Sequence, residues 1–343
     1  MLYFASDYQE GAHPRILRAL SATNYVQTVG YGEDEYCLQA AILLREHCKA
    51  SNADIHFLVG GTQVNMTFLA AALRPYQAAI CAHTGHIAVH ETGAVESTGH
   101  KVMTVQSVIG KVLPQDLDEA CRAHFQDDAH EHMTMPKVLY ISDSTELGTI
   151  YTRAELDALR GVCNKWGLYM YMDGARLGYA LCSPENDVTL PYLANICDAF
   201  TIGGTKQGML FGEALVIVNP ALKQDFRYVL KQHGGMLAKG RLLGIQYLEM
   251  FRDDLYWTLS RHAVEQALRI RNAFAQMGYS FLTDSPSNQQ FPILPDAVLQ
   301  RLGKNFIYSE QCRVDAQHRA VRFCTSWATR AQDVDALIAA ILQ

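Results

Sequence analysis

Short continuous apolar runs alternate along this chain with stretches in which apolar residues recur every three or four positions. The first pattern predicts buried strands and the second helices. Residues 55–59 (IHFLV) predict a strand, followed by Gly60-Gly61-Thr62 and an apolar helix containing Met66, Phe68, Leu69 and Leu73. That helix closes before Pro75, whose ring cannot continue it. Residues 79–82 and 101–105 predict two short strands, and 114–126 a helix with proline in its first turn. Residues 137–142 (KVLYIS) predict a strand. Thr152, with Glu155 three places later, marks the capped start of a helix over 152–166. Three more strands are predicted at 168–172 (LYMYM, ending at Asp173), 198–202 and 214–218 (ALVIV). Continuous apolar strands separated by helices predict an α/β fold with a parallel or mostly parallel sheet covered on both faces.

The texture changes after about residue 240. A long helical stretch covers roughly 240–277, shorter strands fall near 289–294, 305–309 and 320–325, and a helix at 330–342 closes the chain. This predicts a large domain over 1–240, including the N-terminal segment, and a smaller α+β domain over 241–343. Tyr247, Phe251, Tyr256 and Trp257 read as core or interface packing.

Composition narrows the picture. The 343 residues are 49% hydrophobic, enough for a sizeable core in one large domain or two ordinary ones. Only 19% are charged, below the usual level of about 25%, which points to surface hidden at a subunit interface. A net charge of −6 argues against nucleic acid or an anionic membrane as partner. No apolar run approaches the roughly 18 residues of a spanning helix. The start, MLYFASDYQEG, lacks the pattern of a secretory signal. Nine scattered cysteines with no Cys-x-x-Cys pair fit reduced thiols and a cytoplasmic location.

Three positions at the carboxyl ends of predicted strands can carry chemistry, since ligands of open α/β sheets bind there. Gly60-Gly61-Thr62 leads from a strand into a helix, either as a phosphate cradle or as a tight turn with a threonine cap. Asp173, in MDGAR, is either the partner of a cationic group or a helix N-cap. Lys206, in TIGGTKQG, is either an amine with a lowered pKa or a solvated loop lysine. Asp173 and Lys206 are separated by enough chain for one helix and one strand, which places them on neighbouring or nearly neighbouring strand ends. A phosphate cradle, an acid and a lysine together are what pyridoxal phosphate needs.

Several segments in order then resemble the threonine aldolase branch of the fold-type-I pyridoxal-phosphate lyases: FASD (4–7), YGED (31–34), GGTQVN (60–65), HIAVHETGA (86–94), MDGAR (172–176), GGTK (203–206) and VRFCTSW (321–327). The resemblance implies cleavage of L-threonine or a related β-hydroxy-α-amino acid, phenylserine among the candidates, to glycine and an aldehyde. It implies that Lys206 holds the cofactor, Asp173 its ring nitrogen, and Gly61 and Thr62 its phosphate, with His86 against the ring face. Ser6, Arg176 and Arg322 would hold the substrate carboxylate. Tyr31 would reach a neighbouring subunit's site, Lys231 would be the basic residue sent to a neighbour's phosphate, and His90 would approach the substrate side chain. The resemblance further implies a homodimer or homotetramer.

One departure stands out. Where the family has a histidine in an Asn-Thr-His-Asn-Gly segment, this chain reads Ser144-Thr145-Glu146-Leu147-Gly148. Glu146, or a water it holds, would then take the proton of the β-hydroxyl. β-Elimination, transamination and cofactor binding without turnover are the competing readings. A zinc site built on His83, His86, His90 and Glu91 is disfavoured, because the His-Glu-x-x-His order is missing. His124, His130 and His132 read as a solvated loop. Gly234-Gly235 reads either as a phosphate loop or as a helix-breaking turn.

Overall fold

The computed structural model describes residues 1–343. Strand β1 (Leu2–Tyr3) opens the chain, followed by helices α1 (Pro14–Ala22) and α2 (Glu35–Cys48). An alternating series comes next: β2 (Asp54–Leu58), α3 (Gly61–Ala72), β3 (Gln77–Ala82), the single turn α4 (His86–Val89), β4 (Lys101–Val105), α5 (Pro114–Phe125), β5 (Met135–Ser142), α6 (Arg153–Trp166) and β6 (Tyr169–Asp173). It continues through α7 (Leu177–Leu181), α8 (Leu190–Ile196), β7 (Ala199–Gly203), β8 (Glu213–Ile217) and α9 (Phe226–Gln232). The last third holds α10 (Arg241–Phe251), α11 (Leu255–Gln276), β9 (Gln289–Gln290), β10 (Ile293–Pro295), α12 (Asp296–Leu302), β11 (Phe306–Ile307), β12 (Ser309–Arg313), β13 (His318–Cys324) and α13 (Ala331–Ile341).

Seven strands form one sheet in the order β2-β8-β7-β6-β5-β3-β4. Only β8 runs against the others, pairing antiparallel with both β2 and β7. The carboxyl ends of β2, β5, β6 and β7 therefore meet along one edge, together with the start of β8. Side chains alternate across a strand. Tyr140, Tyr171, Leu215 and Ile217 pack with Val64 and Phe68 of α3. Two positions further along their strands, Ser142, Asp173 and Glu213 share that face. The opposite face packs on α2, α5, α6, α8 and α10.

The smaller sheet has the order β10-β13-β12, with β9 also on β13. Its core joins Phe323 and Val321 to Ile270 and Phe274 of α11 and to Leu337 of α13. β1 pairs with β11 in parallel, and the Cys324 N–H donates to the Phe4 carbonyl at 2.7 Å. These bonds, with Phe4 in the smaller core, hold the N-terminal strand against the smaller domain.

The long helix expected over 240–277 is two helices. Asp254 takes a left-handed conformation (φ 56°) and breaks it. α10 packs with the large core through Tyr247 and Phe251, and α11 spans both cores. Tyr247, Phe251 and Tyr256 are fully buried, as expected of packing residues. The capping box of Thr152 and Glu155 is formed. His124 is not solvated: it lies buried in α5, edge-on to Phe125. Gly234 ends α9 with a positive φ of 72°. All nine cysteines are free.

Candidate active site

One cavity at the carboxyl edge of the large sheet is lined by His86, Ser142, Ser144, Glu146, Asp173, Ala175, Arg176 and Lys206. Asp173 ends β6 and is buried. It is no helix cap, since α7 starts only at Leu177. Its Oδ2 accepts from Asn65 Nδ2 at 2.8 Å and Tyr140 Oη at 2.7 Å, and its Oδ1 accepts from the Ala175 N–H at 2.9 Å. Burial pushes this carboxyl up, but His86 and the three donors outweigh it and hold it below its ordinary value. Asp173 is thus a fixed anion, matched to a protonated ring nitrogen.

Asn65 is fully used. Its amide nitrogen also donates to Glu91 Oε1 at 2.8 Å, and its oxygen accepts from Tyr171 Oη at 2.9 Å. Glu91 in turn pairs with His86 Nδ1 at 2.7 Å. Burial lowers the His86 pKa, but the bond to Glu91 and the charge of Asp173 turn the balance upward. His86, Glu91 and Asp173 bring donor atoms within 4.8 Å of one another. Asn65, Tyr140 and the Ala175 N–H hold both oxygens of Asp173, and Asn65 and His86 hold Glu91 Oε1, so the cluster is a hydrogen-bonded wall in which only Glu91 Oε2 lacks a partner. His83 instead accepts from the Ser107 N–H at 3.0 Å.

Lys206 sits in the loop between β7 and β8. Burial pushes its amine down and the nearby Arg176 charge pushes it further, while Asp7, Glu213 and Asp173 pull upward; the net direction is down. A lowered amine pKa suits a nucleophile. The backbone carbonyl of Lys206 accepts from Tyr179 Oη, which anchors the loop.

Glu146 Oε1 accepts from Ser142 Oγ at 2.7 Å and from the His86 N–H at 2.9 Å. Burial raises its pKa, and these bonds offset only part of that rise. Arg176 is held by Asp7 in a two-bond fork, Nε to Oδ2 at 2.7 Å and Nη2 to Oδ1 at 3.0 Å. Burial would raise Asp7, but Arg176 and Lys206 bring it down to about 2. Asn288 donates to the same carboxylate at 2.9 Å.

Ser6 is half-buried next to Asp7, the partner of Arg176, but is not among the residues that line the cavity. Arg322 donates to the Ala5 carbonyl at 2.9 Å and to Gln289 Oε1 at 3.2 Å, and its buried Nε has no protein partner. Gly60 caps α3 with no side-chain hydrogen bond, and a Cβ on Gly60 or Gly61 would meet nothing within 4 Å. The first N–H groups of a helix have no partner within it, so this open turn fits a phosphate. Thr62 is exposed next to it.

The other expected residues lie outside this cavity. The His90 ring is 5.6 Å from that of His86, and burial together with the His86 charge lowers its pKa. Lys231 Nζ stands 4.6 Å over the Tyr31 ring. Both line a second hollow with Arg227, Tyr228 and Met236.

Sequence reasoning missed Asp7, Asn65, Tyr140, Glu91 and Glu213. Asp7 and Asn65 lie inside the quoted FASD and GGTQVN segments. Tyr140 and Glu213 stand in or beside apolar runs and look like core. Glu91 was weighed only as a metal ligand.

A pyridine-nitrogen anion, a depressed lysine amine and an open glycine turn fit pyridoxal phosphate. On this fold they define a fold-type-I pyridoxal-phosphate enzyme. The profile of the beta-eliminating lyases matches residues 4–297, and the chain belongs to that family. It is 30% identical over 338 residues to the low-specificity L-threonine aldolase of Pseudomonas aeruginosa, covering 95% of this chain and 93% of the relative. The threonine aldolase structure from Leishmania major superposes with a TM-score of 0.96 at 41% identity, covering 99% of this chain and 98% of that one. A structure of SPT with PLP superposes with a TM-score of 0.73 at 12% identity, covering 99% of this chain and 86% of that one, a likeness of fold alone.

Proposed function

We propose that this enzyme cleaves L-threonine and related β-hydroxy-α-amino acids, phenylserine among them, to glycine and an aldehyde. The observation that carries this is the single cavity joining Lys206, Asp173, His86, Arg176 and Glu146. Likeness over the whole chain to threonine aldolases supports it. Pyridoxal phosphate, when bound, supplies an electron sink for the pair released at the substrate's Cα.

The chain's own residues do the rest. Lys206 holds the cofactor, and Asp173 keeps a proton on its ring nitrogen. Gly61 and Thr62 take the phosphate, and His86 covers the ring. Arg322 through its unpartnered Nε, Arg176 through the Nη1 that the Asp7 fork leaves over, and Ser6 hold the substrate carboxylate. Glu146, or a water it holds, accepts the β-hydroxyl proton as the Cα–Cβ bond breaks. His90 borders the side-chain region. A proton returned to Cα completes glycine, and Lys206 is well placed to carry it.

Further parts of this reading concern assembly and place. Tyr25, Val29, Tyr31 and Tyr228 are exposed, and Tyr31 and Tyr228 line one hollow with Lys231. It supports a homodimer or homotetramer in which Tyr31 and Lys231 serve a neighbour's site. Free cysteines support the cytoplasm, and no helix is long and apolar enough to cross a membrane. The domains of this reading are 1–240 and 241–343, with α10 and the start of α11 packed on the large core and Phe4 in the small one.

The test is aldehyde release from L-threonine and L-phenylserine by the loaded protein, with Lys206→Ala as blank. Release that disappears in the blank supports aldol cleavage. Pyruvate and ammonia from serine, with no aldehyde from either substrate, would replace it by β-elimination.

A further inference from the structure

Glu213 is a buried carboxyl that no step above uses. It opens β8, in register with Gly203 on one side and Leu58 on the other. Gly203 lies three residues before Lys206, and Leu58 two before Gly60. Glu213 thus stands on the floor between the lysine loop and the glycine turn, on the face that carries Asp173. It is 3% exposed, and its Oε2 has no hydrogen-bond partner. A buried polar atom left unpaired is rare and calls for a reason.

The other acids near Lys206 are occupied. Asp7 is taken by the Arg176 fork and Asn288, and Asp173 by Asn65, Tyr140 and the Ala175 N–H. The groups whose charges act with that of Glu213 are Lys206 and Asp173 and, from α10, α11 and β6, the phenols of Tyr247, Tyr256 and Tyr171. Lys206 is the one cation among them.

We propose that Glu213 is the proton partner of Lys206, a positioning residue that balances the charge of the amine in its charged form and takes up a proton when the amine is neutral. The proposal rests on the reading of Lys206 as the cofactor lysine. Burial raises Glu213 to about 8 against the pull of Lys206, while the amine is lowered. The strand register places the two groups at the same edge of the sheet, so the charge state of each acts on the titration of the other.

The test is the pH dependence of Lys206 acylation by acetic anhydride in the cofactor-free full chain, read by mass spectrometry of the peptide that carries it. In Glu213→Gln the anion that favours the ammonium is gone. The midpoint should fall by about one pH unit, which is up to about tenfold more labelling below the wild-type midpoint. Glu213→Asp keeps the charge and should stay near wild type. A midpoint that does not move in folded Glu213→Gln, or that falls equally in Glu213→Asp, overturns the proposal. If Glu213→Gln does not fold, the Asp variant together with Glu213→Ser decides on the same criterion. The absorbance of the cofactor against pH in Lys206→Ala separately tests the cofactor lysine. Loss of its lysine-dependent titration with an unmoved acylation midpoint in Glu213→Gln sinks the Glu213 role alone. A wild-type titration in Lys206→Ala sinks the parent reading.

Discussion

The two ends of the active-site cavity treat buried charge in opposite ways. At the Asp173 end all the strong groups but one are answered: three donors on the carboxylate, both amide hydrogens and the oxygen of Asn65 engaged, and His86 tied to Glu91 Oε1, with Glu91 Oε2 alone left over. At the Lys206 end Glu213 keeps an oxygen with no partner. A satisfied network in low dielectric is rigid and holds one protonation state. An under-satisfied pair is costly in any one state and so can change state. The contrast fits an electron sink that must stay fixed beside an amine that must gain and lose a proton.

The largest effect should come from the pair that shields the lysine end. Asp7→Ala would leave Arg176 buried without a partner, at about 3–5 kcal/mol of stability. Urea unfolding measures this, and a loss below about 1 kcal/mol would mean that water reaches Arg176. The same pair sets an acid limit. Asp7 is depressed from 3.8 to about 2 in the fold. Its stabilisation is therefore fully present above about pH 4 and is lost as the pH falls toward about 2. The acid branch of the unfolding curve should flatten in Asp7→Ala.

At the satisfied end, Asp173→Ala should slow cleavage by about 10²–10³-fold, the scale for removing one preorganised electrostatic partner. Some cofactor should remain bound, because Lys206 and the glycine turn are untouched. Absorbance of the bound cofactor separates the two effects. Unchanged turnover would remove the electron-sink role and with it half of the contrast.

Glu146 lines the same cavity and joins its Asp173 end through Ser142 and the His86 N–H. Glu146→Gln should lower the cleavage rate by about 10²-fold, the low end for a positioned base, with glycine binding little changed. A base must be ionised to act, and Glu146 is raised above its ordinary value. The wild-type rate should therefore drop as the pH falls through that raised pKa, and this limb should vanish in the glutamine variant. An identical acid limb in both proteins would assign the proton to another group.

Much of the fold could be read from the chain because the signal is local. Apolar runs marked the strands of the large sheet to within a residue or two, and Thr152-x-x-Glu155 marked its helix. The break between α10 and α11 was illegible because Asp254, not glycine or proline, takes the left-handed turn. In the site, Asp173 and Lys206 stood out as charged residues after apolar strands next to glycines. Their supports did not. Asn65 meets Asp173 across 108 positions, Tyr140 across 33, and Arg322 meets Ala5 across 317. Asn65 and Tyr140 sit at core positions of a helix and a strand, so their polarity has a purpose only once the sheet places their partners.

The smallest expected effect is the sharpest probe of whether the two ends are separate. Tyr140→Phe keeps the ring against Tyr171 and removes one donor from Asp173 Oδ2, while Asn65 still donates to the same oxygen. The loss of one hydrogen bond among several is about 1 kcal/mol. Cleavage should fall about fivefold, and the carboxyl of Asp173 should rise toward its ordinary value. Lys206 should be unaffected in the acylation assay, since Tyr140 is not among the groups that act on the amine. An acylation midpoint that moves as far in Tyr140→Phe as in Glu213→Gln would show that the network transmits protonation from one end to the other. The cavity would then be one coupled unit, with Asn65 and Asp173 as the path through which the lysine senses the far wall.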